Sequence, residues 1–319
     1  MSQDVCCVCE KPIVGEVVRL GGRPYCAPCY AKVTADRGGT WWASLVGAGV
    51  LVLFVLLLAL IAGLARPQLQ GAGLLVTSLI LALVPAAVWL VIFYARDVRE
   101  PEPKRLVLSL FVLGALLAQA VGRPVTEDLF RVSQWMATAG PLLHILAAIL
   151  IIGFTEMFLV YAAVRFSVYS LPEFDERVDG VIYGTAAALG YAMVLNVAFV
   201  VESGGVDLVA GIIRTSVTAL ALASFGGLMG YFLGRCKFED EPLWWMPVGF
   251  ALAAILDGLF IYVRGEITTT AIGLRGGGYN PWPGRILGAL VAGITFGVLF
   301  YLLSRLRRPP ERTSRTRRR

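Results

Sequence analysis

Two uncharged apolar runs, Ala43–Ala65 and Gly71–Ala95, constrain this chain more than any other feature of it. Each is longer than the roughly 20 helical residues that cross a bilayer core about 30 Å thick. Further apolar blocks run Leu106–Gly122, Ala137–Val164, Val178–Val201, Val206–Gly234, Leu243–Val263 and Ile286–Ser304. Lipid offers no partner to an unpaired backbone group, and a barrel strand is much shorter than these blocks, so helices are expected. The expected fold class is an all-α polytopic membrane protein with about eight transmembrane helices. Composition agrees: 57% of the 319 residues are hydrophobic and only 16% are charged, against about a quarter in soluble domains. The first 40 residues are polar and cysteine-rich, so no cleavable leader is expected there.

Lysine and arginine in short loops set orientation. One set of connections holds Arg96, Arg99, Lys104, Arg105, Arg165, Arg177, Arg235 and Lys237, and the tail after Ser304 adds Arg305, Arg307, Arg308, Arg312, Arg315, Arg317, Arg318 and Arg319. The opposite loops hold Arg66, Arg123, Arg131, Arg264, Arg275 and Arg285. The richer side is expected to be cytoplasmic, with both termini there, in a plasma or inner membrane. The tail lacks aromatic residues and abuts a membrane helix, so contact with anionic lipid is expected of it and nucleic acid is not.

Five of the six cysteines fall within residues 6–29: Cys6, Cys7, Cys9, Cys26 and Cys29. Cys6-x-x-Cys9 and Cys26-x-x-Cys29 are two thiolate pairs, and two such turns complete a tetrahedron around one ion. Between them, Val14–Arg23 alternates and carries Gly21-Gly22, as a short hairpin should. The stretch resembles a zinc ribbon or half of a LIM domain. Structural Zn2+ on Cys6, Cys9, Cys26 and Cys29 is the expectation. Two disulfides are the competing reading, disfavoured by a cytoplasmic location; Cys7 is surplus and can replace either neighbour. A closed four-sulfur site has no open position for catalysis, so it implies a surface for a cytoplasmic protein partner.

Inside the apolar blocks, Glu156, Asp257 and Asn196 are the candidate working residues, because an ionisable or polar group in mid-membrane is costly unless paired or wet. Two readings stand side by side. In one, Glu156 is protonated on a backbone carbonyl and Asp257 pairs with an arginine such as Arg214. In the other, the two carboxyls meet and act as acid and base. His144, the only histidine, lies about three helical turns from Glu156 and is read as a packing residue. Gly226, Gly230 and Gly234 share one helix face, as do Gly293 and Gly297, and small-residue ladders let helices approach closely. Trp41, Trp42, Trp244 and Trp245 are expected as interfacial anchors.

A set of blocks then appears in order: Asp97 and the elbow Glu100-Pro101-Glu102-Pro103, Gly114-Ala115, Glu173–Glu176 with Val178–Gly184, Leu189–Ala192 ending at Asn196, and Gly230–Gly234. Over roughly residues 90–265 they resemble the PrsW family of intramembrane proteases. The resemblance implies activity from a Glu-Glu-x-x-Lys motif in a membrane helix, a Glu just before the Asn, and histidines in two later helices. Here the first motif falls on Phe154–Val160, where Glu156 is the one glutamate and the lysine is absent. Leu195 stands before Asn196, Leu222 at the first histidine position, and Asp257 and Ile261 replace the His and Asp of the next helix.

These substitutions lead to the expectation of a PrsW homologue that has lost catalysis and binds transmembrane protein clients. An active glutamic-type endopeptidase and a transporter or channel are the alternatives. The expected organisation is a zinc ribbon over residues 1–40, a bundle over 41–304 and a basic tail over 305–319.

Overall fold

The computed structural model describes residues 4–6, 9, 11–13, 17–20, 23–34, scattered positions between 46 and 60, and residues 71–94, 102–202, 208–239, 241–269 and 282–306. The chain divides into two compact units, one of Met1–Gly38 with Phe300–Arg319 and the other of Gly39–Leu299.

In the N-terminal unit, strands β1 (Val18–Leu20) and β2 (Arg23–Tyr25) pair antiparallel in the register Val18–Tyr25 and Leu20–Arg23. Helix α1 (Ala27–Thr34) follows directly. Ahead of the hairpin the chain doubles back through a Val5–Pro12 bridge, closed by Cys6 N–H to the Lys11 carbonyl at 2.9 Å.

The second unit is helical. Six helical segments among the described residues are long and apolar enough to cross a membrane. We label them α2 (Gly71–Tyr94), α3 (Lys104–Trp135), α4 (Pro141–Ser167), α5 (Arg177–Glu202), α6 (Leu208–Phe238) and α7 (Trp245–Thr269). A further helix, α8, spans Trp282–Leu306. The expected first crossing, Ala43–Ala65, lies largely outside the described residues, as do Trp41, Trp42 and the tail after Leu306.

Polarity is inverted relative to a soluble protein. Leu75, Val76 and Val91 of α2 are 53–65% exposed, while Thr185, Ser224 and Asp257 are fully buried. Apolar side chains on the outside and hydrogen-bonded polar ones inside are what a lipid solvent selects. The chain is a multi-pass membrane protein whose outward faces contact lipid.

Helix α5 is the centre of the bundle. Gly180 and Gly184 lie directly against Gly226 and Gly230 of α6, where any Cβ would overlap backbone. The ladder read from the sequence therefore is a contact between two backbones. Among the described residues, nothing lies within 4 Å of a Cβ built on Gly293 or Gly297 of α8. The Trp245 ring packs on Phe232 at 4.9 Å beneath Arg235.

Candidate functional site

Two sites are built from the residues singled out above, one in each unit.

In the N-terminal unit, the Val5–Pro12 doubling brings Cys6 and Cys9 to one side, and α1 starts immediately after Cys26 with Cys29 in its first turn. All four sulfurs lie within 4.8 Å of one another, and Cys9 Sγ to Cys26 Sγ is 3.8 Å. Sulfurs at the corners of a tetrahedron with Zn–S bonds of about 2.3 Å stand about 3.8 Å apart. A disulfide needs about 2.05 Å, and all four cysteines are free thiols. The donor set fits a tetrahedral thiophilic ion. The hydrogen bond with Cys26, then burial, push the Cys29 thiol up to about 12. Cys7 lies outside the described residues.

In the bundle, α4 and α7 meet where both lack side chains. A Cβ on Gly153 would overlap the Ala254 carbonyl, and one on Gly258 would overlap the Ile149 backbone. Residues Ala148–Gly153 are wound as a π-helix, a local rewinding common near functional positions. One turn beyond Gly153 stands Glu156, 3% exposed, and beside Gly258 stands Asp257, 0% exposed. Their carboxyls lie close enough to act on each other. Among the described residues no N–H or O–H donates to Glu156 Oε2 or to either Asp257 oxygen.

Two further groups act on this pair through space, neither flagged by the sequence. The Tyr191 hydroxyl of α5 is close enough for both carboxyls to act on it through space. So is the Arg264 guanidinium of α7, whose Nη1 donates to Thr218 Oγ1 of α6 at 2.9 Å. Charge counting had placed Arg264 in a loop, but α7 continues past it to Thr269. Its spacing of seven from Asp257, two turns on one helix face, is the signal that could have found it.

The other candidates go elsewhere. Asn196 Nδ2 donates to the Thr215 carbonyl at 3.0 Å, a buried bond between α5 and α6. Arg214 lies with its guanidinium 2.9 Å from the Phe199 ring centroid, so the arginine beside the pair is Arg264. His144 packs edge-on against Tyr262, ring centroids 5.2 Å apart.

The remaining quoted blocks do structural work at the other end of α5. Asp179 accepts the N–H groups of Asp175 (2.7 Å) and Glu176 (2.5 Å), the reciprocal half of a capping box. Tyr183 donates to Glu102 of the proline elbow, and Tyr94 to the Glu102 carbonyl at 2.8 Å. Lys237 donates to the Tyr169 and Phe174 carbonyls at 2.6 Å each.

Residues 102–273, more than half of the chain, match the family described as PrsW family intramembrane metalloprotease. The chain belongs to the PrsW family. "Protease PrsW" of Halalkalibacterium halodurans is 31% identical over 180 residues, covering 56% of this chain and 79% of the relative. The Geobacillus kaustophilus protein of the same name is 30% identical, with 56% and 75% covered. The Bacillus subtilis one is 25% identical, with 57% and 80% covered. No solved structure matches. The PrsW match contains the carboxyl pair, Tyr191 and Arg264, and excludes the cysteine quartet and α8.

The metal in that family description can be tested against the donors. A catalytic zinc takes about three protein ligands. Among the described residues the cysteine quartet is the one group of three or more His, Cys, Asp or Glu whose ligand atoms converge. The pair offers two carboxyls, and His144 sits twelve residues before Glu156, roughly 18 Å along the helix, engaged with Tyr262. The donors at the pair do not fit a catalytic zinc.

Proposed function

We propose that this PrsW-family protein is an intramembrane peptidase acting on transmembrane protein clients, with the Glu156–Asp257 pair as its working centre. The observation that supports this reading is the approach of two buried carboxyls from α4 and α7, close enough to act on each other and with no hydrogen-bond partner at either Asp257 oxygen among the described residues. Packing alone does not call for two acids face to face, since burying either costs several kcal/mol in lipid.

A pair that shares one proton holds a base and an acid at once. The carboxylate takes a proton from water as the water oxygen bonds to the scissile carbonyl carbon. The carboxylic acid gives its proton to the amide nitrogen as the C–N bond breaks. The pair ends with the one proton it started with. Tyr191 is the hydroxyl available to stabilise the oxyanion.

Glu156→Gln and Asp257→Asn are each expected to slow cleavage of a reconstituted membrane client by about 10²-fold or more. Cleavage at the wild-type rate in Glu156→Gln would sink this assignment. A second reading, a homologue that binds clients without cutting them, is favoured by Leu195, Leu222 and Ile261 at positions where the family resemblance implies acidic groups or histidine. It predicts that a client co-purifies intact with the wild type and with Glu156→Gln alike.

The N-terminal unit, over residues 1–40, is read as a structural zinc ribbon because of its S···S spacing and free thiols. The lysine and arginine count supports cytoplasmic termini, which would present the ribbon to a cytoplasmic protein partner.

A further inference from the structure

We propose that a groove along the outer face of α3 is a binding site for an anionic phospholipid, with Arg105 on its phosphate and one acyl chain along Leu108, Val112 and Leu116. The sequence builds the groove from a single stripe. Arg105, Leu108, Ser109, Val112 and Leu116 recur at helical intervals and share one face of α3. With Ser167 at the end of α4 they line a groove of about 630 Å³, within the range of about 300–1,000 Å³ common to small-molecule sites. Leu108, Val112 and Leu116 are 48–60% exposed, so the groove opens to lipid along its length. From Arg105 to Leu116 it runs roughly 16 Å of helix rise. One leaflet of hydrocarbon is about 15 Å deep. That length fits an acyl chain, whereas a client helix crossing the bilayer would need twice as much.

The charge at its head decides which lipid. Tyr183 of α5 donates to Glu102 just before α3, and Lys237 of α6 donates to the Tyr169 and Phe174 carbonyls just after α4. The start of α3 and the ends of α4 and α6 therefore share one end of the bundle. Other basic side chains gathered there are engaged: Arg177 and Arg235 hold Glu239, Lys237 holds carbonyls, and Arg165 lies 4.0 Å over the Tyr169 ring. Arg105 is exposed and has no hydrogen bond or ion pair among the described residues. The Ser109 hydroxyl is spent on the Leu106 carbonyl at 2.8 Å and that of Ser167 on the Ala163 carbonyl. Arg105 is thus the lining side chain with N–H donors to spare, and its planar guanidinium matches two phosphate oxygens at once. Side chains lean toward the N-terminus of their helix, which carries the guanidinium outward to headgroup level. A head with net negative charge leaves that attraction unopposed, while a choline head sets a second cation beside the arginine. Basic pockets at the ends of membrane helices select anionic headgroups in this way.

The test reconstitutes the full chain in phosphatidylcholine vesicles holding a small fraction of phosphatidylglycerol, or of phosphatidylcholine, with a diazirine on one acyl chain. After irradiation, mass spectrometry reads the label on Leu108–Leu116 relative to that on Leu75 and Val76 of α2. Phosphatidylglycerol is expected to label the groove about fivefold more than phosphatidylcholine. Arg105→Gln should erase that preference, and Arg312→Gln, which removes one charge from the tail, should leave it unchanged. Inorganic phosphate added at constant ionic strength should not displace the lipid, because a free anion lacks the chain that fills the groove. Equal labelling by the two lipids in the wild type would overturn the proposal. So would a preference that survives Arg105→Gln, or one that Arg312→Gln lowers by as much. Loss of label to inorganic phosphate would assign Arg105 a soluble anion instead, and no label from either lipid would mean that protein covers the groove; either result also overturns it.

Discussion

Single residues decide whether the two acids meet. Gly153 and Gly258 have nothing to offer but the absence of a side chain, and that absence lets α4 and α7 touch backbone to backbone. Gly258→Val would drive a branched side chain into the Ile149 backbone. It is expected to cost about 1–3 kcal/mol and to lower client cleavage, because the helices must part at the carboxyl pair; thermal unfolding and cleavage assays read both. Asn196 has a different task. Its bond to the Thr215 carbonyl is one interhelical hydrogen bond in lipid, worth about 0.6 kcal/mol on average. Asn196→Leu should therefore shift the denaturation midpoint by little, whereas a shift comparable to that of Gly258→Val would give Asn196 a larger part.

At the scale of elements, the loop into α5 and the end of α6 are fastened by charge. Arg177 and Arg235 both hold Glu239, at 2.7 and 2.6 Å, and Arg235 also holds Glu241. Partial burial pushes the Glu239 carboxyl up, but the hydrogen bonds from Arg177 and then Arg235 outweigh it and keep it below its ordinary value. A carboxyl depressed in the folded state contributes stability that is fully present above its unfolded value and is lost as pH falls below it. The bundle should accordingly loosen as pH drops below about 4.3, and Glu239→Gln should flatten that part of the stability profile while lowering stability at pH 7. Tyr183→Phe acts on the neighbouring tie. It leaves the buried Glu102 carboxyl without its phenol donor and is expected to cost about 1–3 kcal/mol, read as faster amide exchange at the start of α3.

For the whole molecule, the two units rest on different physics. The bundle rests on apolar helices in lipid, while the N-terminal unit has a two-stranded hairpin, one short helix and four converging sulfurs. A unit so small is too poor in core to fold without a staple. Chelation in detergent should release its ion and open the segment between Cys9 and Cys26 to protease, and restoring zinc should close it again. Because each thiol must lose its proton to bind metal, zinc affinity should fall as pH is lowered. If the segment resists protease equally with and without chelator, the ribbon reading fails.

Much of this was legible along the chain. Length and apolarity alone specify membrane helices, since a bilayer has one thickness and tolerates no unpaired backbone; the expected Gly71–Ala95 differs from α2 by one residue at its end, and Val178–Val201 from α5 by one residue at each end. Cysteine spacing marked the metal quartet, because a Cys-x-x-Cys turn is a local structure. The ladder at Gly226, Gly230 and Gly234 was legible as a contact for the same local reason, although periodicity names a face without naming what lies opposite, here Gly184, Gly180 and Arg177 of α5. Which polar groups face each other is likewise a property of helix packing. Glu156 and Asp257 are about a hundred residues apart, and only the approach of α4 to α7 puts one carboxyl against the other. Arg264, counted with the loops, lies on α7, and Arg214, read as a partner for Asp257, lies over the Phe199 ring, because helix packing and not sequence position decides what a side chain meets.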